Sequence, residues 1–361
     1  MNANEVIANR AIELAGGKVG SKDPIHPNDH VNMGQSSNDV VPTAIRVSVG
    51  IAIREGLVPA LEKLAGALEE KAEAWGSIDK IGRTHLMDAT PLTLGQEFSG
   101  YAAQVRRSVD RARGAIEAVH ELPLGGTAVG TGLNAHPEFS PRVIAILERE
   151  TGIPFREAGN HFEAQAAADA CVEASGLLKT IAASLAKIGN DIRMLGSGPR
   201  CGIGEIRIPS LQPGSSIMPG KVNPVMSEML VQASIYTIGL DVANTIAGRD
   251  GHFELIVTLP LMAHALHEQI RILGNAAQVF AERCVKGLVA DEERCGELVE
   301  KSLMLVTALN PEIGYDNAAS VAKQAYEENK TLREVVLERG LLDEATVDRL
   351  LDPSSMTRPR G

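Results

Sequence analysis

The sequence predicts a mainly α protein, a bundle of long helices with a smaller helical domain at its C-terminal end. Three observations carry that expectation. Apolar residues make up 44% of the chain and aromatic ones only 3%, so its core is built from Ala, Leu, Val and Ile, which suit close-packed helices better than a sandwich of sheets. Apolar positions recur every three or four residues over long stretches, as on one face of a helix. Several of these stretches are apolar on more than one face, which demands burial on all sides. A single chain satisfies that with difficulty, so the bundle is expected to continue across a subunit interface.

The elements follow in chain order. Residues 1–15 read as a helix. In GLVPALEKLAGALEEKAEAW, the residues Leu57, Leu61, Leu64, Leu68, Ala72 and Trp75 fall on one helical stripe. Residues 94–120, 163–195, 227–247 and 259–280 predict longer helices, the last with Pro260 in its first turn. The segment SEMLVQASIYTIGLDVANTIAG is an example of the pattern that is apolar nearly all round. Beyond about Asp291 the helices shorten. TLRE at Thr331 to Glu334 forms a capping box, Gly340 fits the position just past a helix end, and Pro353 stops the last helix.

Composition excludes several functions. With 361 residues the chain can bury a large core, and it exceeds the commonest single-domain size. Lys and Arg number 35 against 46 Asp and Glu, a net charge of −11, which argues against a general nucleic-acid binder. The four cysteines, Cys171, Cys201, Cys284 and Cys295, show no CxxC spacing and no paired histidines nearby, so reduced thiols are expected rather than a metal site or a disulfide framework. The start, MNANEVIANRAIELAGG, has no apolar signal block, and no run of about 18 apolar residues occurs. A soluble cytoplasmic protein is expected.

Four polar interruptions, residues 25–37, 82–90, 125–137 and 196–223, hold the chemistry. In GRTHLMDAT, His85 reads as a histidine at a helix start, or as an acid or anion ligand, since imidazole titrates near neutrality. NMGQSSND places Gln35, Ser36, Ser37, Asn38 and Asp39 before a helix. Capping uses one or two of these, and the surplus donors suit a carboxylate. IHPNDHVN contains His26, Asn28, Asp29 and His30 around Pro27, which is also ordinary turn chemistry. The glycines Gly125, Gly126, Gly130 and Gly132 follow no predicted strand and match neither GxGxxG nor a P-loop, so a nucleotide loop is rejected. Last, GSSIMPGKVNP, residues 214–224, combines Gly214, Pro219 and Gly220 with Ser215, Ser216, Lys221 and Asn223. Such a loop exposes backbone N–H groups beside a positive charge and an amide that donates and accepts.

GSSIMPGKVNP fits in full the signature GSSxMPxKxNP of the fumarase/aspartase superfamily, and the chain resembles that family over nearly its whole length. HPNDHVNMGQSSND, GRTHLMDATPLTLGQEFSGYA, GGTAVGTGLNAHPEF and LVTALNPEIGYDNAA are similar to segments of the class II fumarase branch and follow its order. QSSND stands where aspartases usually read QSTND, and NHFEAQAAADACVEASG resembles the fumarase N-x-F-E segment, whereas LQ before the loop occurs in both. The resemblance implies a homotetramer with a 20-helix core, each active site built from three subunits. It implies residues 1–33 as a remnant of an N-terminal domain, 34–290 as a central long-helix domain and 291–361 as a small C-terminal helical domain.

It also implies hydration of fumarate to L-malate, a tricarboxylic acid cycle reaction that needs neither metal nor organic cofactor. By the family pattern Ser215 is the base, Lys221 and Asn223 bind the substrate carboxylates, and Ser36, Ser37, Asn38, Thr84 and Ser216 complete the pocket. His85, paired with Glu228, would handle the hydroxyl or water, and His26, Pro27, Asn28 and Asp29 match a secondary carboxylate site. Family members carry a further N-terminal domain ending in a motif like SGTxTN, which this sequence does not contain. The expectation is a pocket short of donors on one side, where one missing oxyanion donor costs roughly 2.7–4 kcal/mol. An aspartate ammonia-lyase with the same loop chemistry is the alternative, and a non-catalytic helical scaffold is a second.

Overall fold

Helices of up to 27 residues organise the computed structural model, which describes residues 1–359. In order they are α1 (Asn2–Leu14), α2 (Ser37–Ala52), α3 (Val58–Ala74), α4 (Leu94–Ala118), α5 (Phe139–Thr151), α6 (His161–Ala166), α7 (Asp169–Leu195), α8 (Val225–Gly248) and α9 (Leu259–Arg283). Shorter ones follow: α10 (Glu292–Lys301), α11 (Asn310–Ile313), α12 (Tyr315–Glu328), α13 (Leu332–Glu338) and α14 (Glu344–Leu350). The expected stripe is real, with Leu57 just before α3 and Leu61, Leu64 and Leu68 within it wholly buried. Thr331 and Glu334 close the capping box at the start of α13, and Gly340 takes φ +63 just beyond its end.

Two departures from the sequence reading have physical causes. The segment 163–195 is two helices, because Ala167 is extended (φ −113, ψ 147) between α6 and α7. Buried Arg46 reaches the Ala164 carbonyl at 3.1 Å, and such tertiary bonding replaces the helical ladder at a point where neither Gly nor Pro warns of a break. The segment around His85 is a β-hairpin, not a helix start. Strand β1 (Asp79–Thr84) pairs antiparallel with β2 (Met87–Thr93), and Thr84 lies opposite Met87. Two-residue strands add three minimal pairs: β3 (Glu121–Leu122) with β4 (Arg156–Glu157), β5 (Ile206–Arg207) with β8 (Val289–Ala290), and β6 (Gly251–His252) with β7 (Leu255–Ile256). The glycine-rich segment therefore does follow a strand, though one of two residues.

The chain divides into two compact units, each made of three stretches. The first takes Met1–Ala60, Ser108–Ala183 and Ala233–Asn275. Within it Leu122, Ile144, Ile153 and Phe155 form a buried cluster under Val47 and Ile116. The second takes Leu61–Arg107, Ser184–Gln232 and the described residues from Ala276 onward. One cluster in it gathers Val299, Leu305, Leu309, Val321, Val335 and Val347 with Ile81 of β1.

Helix α8 is built inside out. Ser227, Ser234, Thr237, Asp241 and Asn244 are buried, while Ile235, Val242 and Ile246, spaced by seven and four residues, are 62%, 53% and 49% exposed. Three of the inward polar contacts lie in the first unit: Ser175 donates to Asp241 at 2.8 Å, Asn244 donates to Ser175 at 3.1 Å, and Lys179 pairs with Asp241 at 2.6 Å. Among the described residues no helix is long and apolar enough to cross a membrane.

Candidate active site

Three of the four polar interruptions hold the candidate catalytic and substrate-binding residues. In the first unit, Ser36 is the N-cap of the 16-residue helix α2. Its hydroxyl oxygen accepts the Asn38 N–H at 3.2 Å, and the Asp39 carboxylate accepts the Ser36 N–H at 3.0 Å, closing a capping box. The capping alternative is thus correct for Ser36 and Asp39. It leaves the Ser36 hydroxyl proton, exposed Ser37 and one amide N–H of Asn38 uncommitted, at a helix end that carries partial positive charge. Asn38 spends its other amide N–H on the Ala128 carbonyl, at 2.8 Å.

In the second unit, Thr84 and His85 lie at the tip of the β1–β2 hairpin, both exposed. His85 and Leu86 form the turn with φ +54 and +64, a left-handed pair that Asn-Gly would adopt at less cost. A buried charge cluster underlies the hairpin. Lys80, 2% exposed, lies 2.6 Å from Glu97 and 3.3 Å from Glu205, and Arg83 lies 2.9 Å from Glu205, which is wholly buried. Charges taken out of water are tolerated only in such mutual company. The Tyr101 hydroxyl lies 2.9 Å from Glu97 and 3.1 Å from Asp191, which share its one proton, and burial together with these two carboxylates pushes its phenol pKa well above the usual range.

The loop 214–224 belongs to the same unit. The Ser215 Oγ accepts two backbone N–H groups, from Ile217 at 3.2 Å and Met218 at 3.1 Å. Asn223 donates its side-chain amide to the Gly214 carbonyl at 3.0 Å, and the Gly214 N–H donates to the Lys221 carbonyl at 2.8 Å, so the two ends are stapled together. Ser215, Pro219, Gly220 and Lys221 border a concavity of ≈ 470 Å³ with the preceding residues 210–213. Ser216 and Lys221 are exposed, and Asn223 and Glu228 half-buried, Glu228 in the first turn of α8. Among the described residues His85 and Glu228 make no ion pair.

The earlier part of the first interruption, in the first unit, is a single wide turn, Pro27–Val31. The Nδ1 of His26 accepts the N–H groups of Asn28 and Asp29 at 3.2 Å each, and Asp29 lies 3.4 Å from the same nitrogen. Pro27 is buried; Asn28 and Asp29 are exposed. Among the described residues no three His, Cys, Asp or Glu side chains stand close enough to hold a metal ion.

Sequence reasoning missed Asp39, Arg83 and Glu205 as supports. Asp39 was visible as the fourth residue of an S-x-x-D capping pattern. Glu205 gave no local signal, because its partners lie more than 100 positions away in sequence.

The lyase family matches residues 1–239, and the fumarase C C-terminal family matches residues 305–358. The class II fumarate hydratase of Thermosynechococcus vestitus is 55% identical over 361 residues, all of this chain and 77% of that protein. The class II fumarate hydratase of Neisseria meningitidis serogroup A is 53% identical over 360 residues, with 100% and 78% covered. A crystal structure of class II fumarase from Schistosoma mansoni superposes with a TM-score of 0.96 at 39% identity, over 100% of this chain and 78% of that one. Similarity of this depth over its whole length makes the chain a member of the class II fumarate hydratase family.

Proposed function

We propose that Ser215 is the catalytic base of a fumarate hydratase, with the α2 N-terminus, the hairpin tip and loop 214–224 supplying the other working groups. The activity is the reversible hydration of fumarate to L-malate, a hydro-lyase reaction, in keeping with relatives 55% and 53% identical along the chain. In the dehydration direction a weakly acidic proton next to a carboxylate must be removed. The intermediate then carries extra negative charge on that carboxylate, and fixed donors must meet it.

The observation that carries the assignment is the pair of N–H groups on the Ser215 Oγ. A serine is a poor base unless its alkoxide is stabilised, and here two donors are in place before it ionises. Lys221, in the same loop, adds positive charge. Lys221 and Asn223 are the proposed carboxylate ligands, together with Ser36, Ser37, Asn38, Thr84 and Ser216. His85, with Glu228, is proposed to manage the departing hydroxyl or incoming water, and the strained turn at His85 supports a functional reason for a histidine there. His26, Pro27, Asn28 and Asp29 are the proposed secondary carboxylate site.

A homotetramer with active sites shared by three subunits is part of the proposal. Its support is the exposed apolar stripe of Ile235, Val242 and Ile246 on α8, which water solvates poorly and a neighbouring helix would cover. The division into 34–290 and 291–361 is proposed on the apolar cluster gathered by α10 to α14. A cytoplasmic location is proposed on the acidic charge and four unpaired thiols.

The test follows fumarate by its ultraviolet absorbance with purified protein given L-malate or L-aspartate. Fumarate from malate is expected. Fumarate from aspartate alone overturns the hydratase in favour of an ammonia-lyase, and turnover of neither by a tetrameric sample points to a scaffold.

A further inference from the structure

We infer that Asp39 is a positioning residue for substrate binding, and that the glycine-rich loop 125–128 folds around it to hold the donor wall of Ser36, Ser37 and Asn38. The inference rests on the proposed role of those three residues as carboxylate ligands. Asp39 is wholly buried, yet among the described residues no cation pairs with it. Its Oδ1 takes the Ser36 N–H at 3.0 Å, which a capping box explains. Its Oδ2 takes the N–H groups of Gly125 and Thr127, both at 3.0 Å and more than 80 positions away in sequence, which capping does not explain. A carboxylate with three backbone donors is fixed on both oxygens and needs no counter-ion.

The loop is shaped for this purpose. Thr127 is held at φ +55, a costly region for a β-branched residue, and its carbonyl is gripped by the Gln165 amide at 2.9 Å. A Cβ on Gly126 would press on the Gln165 amide oxygen, so any larger residue must displace the side chain that grips the loop. The Ala128 carbonyl then receives the Asn38 amide at 2.8 Å. The segment resembles a phosphate loop in composition because it performs the same physical act: its N–H groups converge on an anion. The anion is the protein's own Asp39, and its reward is a rigid helix N-terminus rather than a bound nucleotide. Donors held in place before substrate arrives lose less on binding it.

The experiment compares Asp39→Asn and Ser37→Ala in steady-state hydration, with melting temperature and oligomeric state recorded. Asp39→Asn keeps the size of the side chain but turns an amide N–H toward a backbone donor. It is expected to raise the KM for fumarate about tenfold and leave kcat within about twofold, the signature of lost uniform binding. Ser37→Ala, which removes an exposed hydroxyl, is expected to raise KM as well. If Ser37→Ala raises KM and Asp39→Asn does not, the inference fails while the substrate wall stands. If Ser37→Ala leaves KM unchanged, the substrate wall itself fails. A fall in kcat at constant KM for Asp39→Asn overturns a positioning role. Should Asp39→Asn not fold, Gln165→Leu loosens the same loop from its other side. A KM raised about threefold then supports the inference, and an unchanged KM overturns it.

Discussion

The N-terminus of α2 and the loop 214–224 are written in the same residues, Gly, Ser, Asn and a neighbouring proline, yet they fold to opposite ends. At α2 the polar groups close on a buried carboxylate: Ser36, Gly125 and Thr127 all donate to Asp39. In the loop the side chains close on the loop itself, through Ser215 and Asn223, and Ile217 stays 83% exposed. The difference lies in the acceptor. A buried anion from a distant element pulls a segment into one conformation, whereas local bonds leave it free to adapt. A hydratase has use for both, a fixed wall to receive carboxylates and a loop that can close over them.

The largest expected effect tests the loop. Ser215→Ala should lower kcat by roughly 10²–10⁴, the usual share of a general base, while the melting temperature barely moves because the side chain is only locally bonded. Next comes packing. Gly126→Ala should cost about 1–3 kcal/mol in a denaturant titration, since its Cβ meets the Gln165 side-chain amide and must push it aside. Gly220→Ala, at φ +80 with open space around it, should cost only about 1 kcal/mol, from the left-handed backbone alone. Equal costs would erase the distinction between wall and loop.

Amide hydrogen exchange separates the two regions without substitution. The N–H groups of Gly125 and Thr127 should be protected well beyond those of Ile217 and Met218, whose acceptor is a half-exposed serine. Comparable protection would mean that the loop is as fixed as the wall.

The smallest effect concerns pH. His267 lies 2.8 Å from Ser48 of α2, and burial lowers its pKa below the ordinary histidine value. The folded state therefore resists the proton that the unfolded chain accepts. The stability tied to this group is fully present above about pH 6.5 and is lost as pH falls from there toward the lowered value. Thermal melts should decline over that window in the parent protein and flatten in His267→Gln. A decline unchanged by the substitution would assign the pH dependence to other groups.

Much of the architecture was legible in the sequence. The stripe Leu57, Leu61, Leu64 and Leu68 announced α3, and Thr331 with Glu334 announced α13, because period and caps are local physics. The hairpin was not legible. HLMD has neither Asn nor Gly to mark a tight turn, and the strand leading into it is held from below by buried Lys80 and half-buried Arg83 meeting Glu205. The break at Ala167 was hidden likewise, since its cause includes an arginine more than 100 positions upstream.

The candidate site divides along the same line. GSSIMPGKVNP identified its own serines, lysine and asparagine, because that loop's chemistry is carried by neighbours in sequence. The sequence by itself thus determined the helical class, the family and the residues able to meet a dicarboxylate. Only the tertiary structure decided which polar segments bond to distant elements, that Asp39 is buried among backbone donors, and that α8 turns its polar side inward. Those outcomes depend on where buried charges find partners, and a partner's position in space is not written in the spacing of either residue.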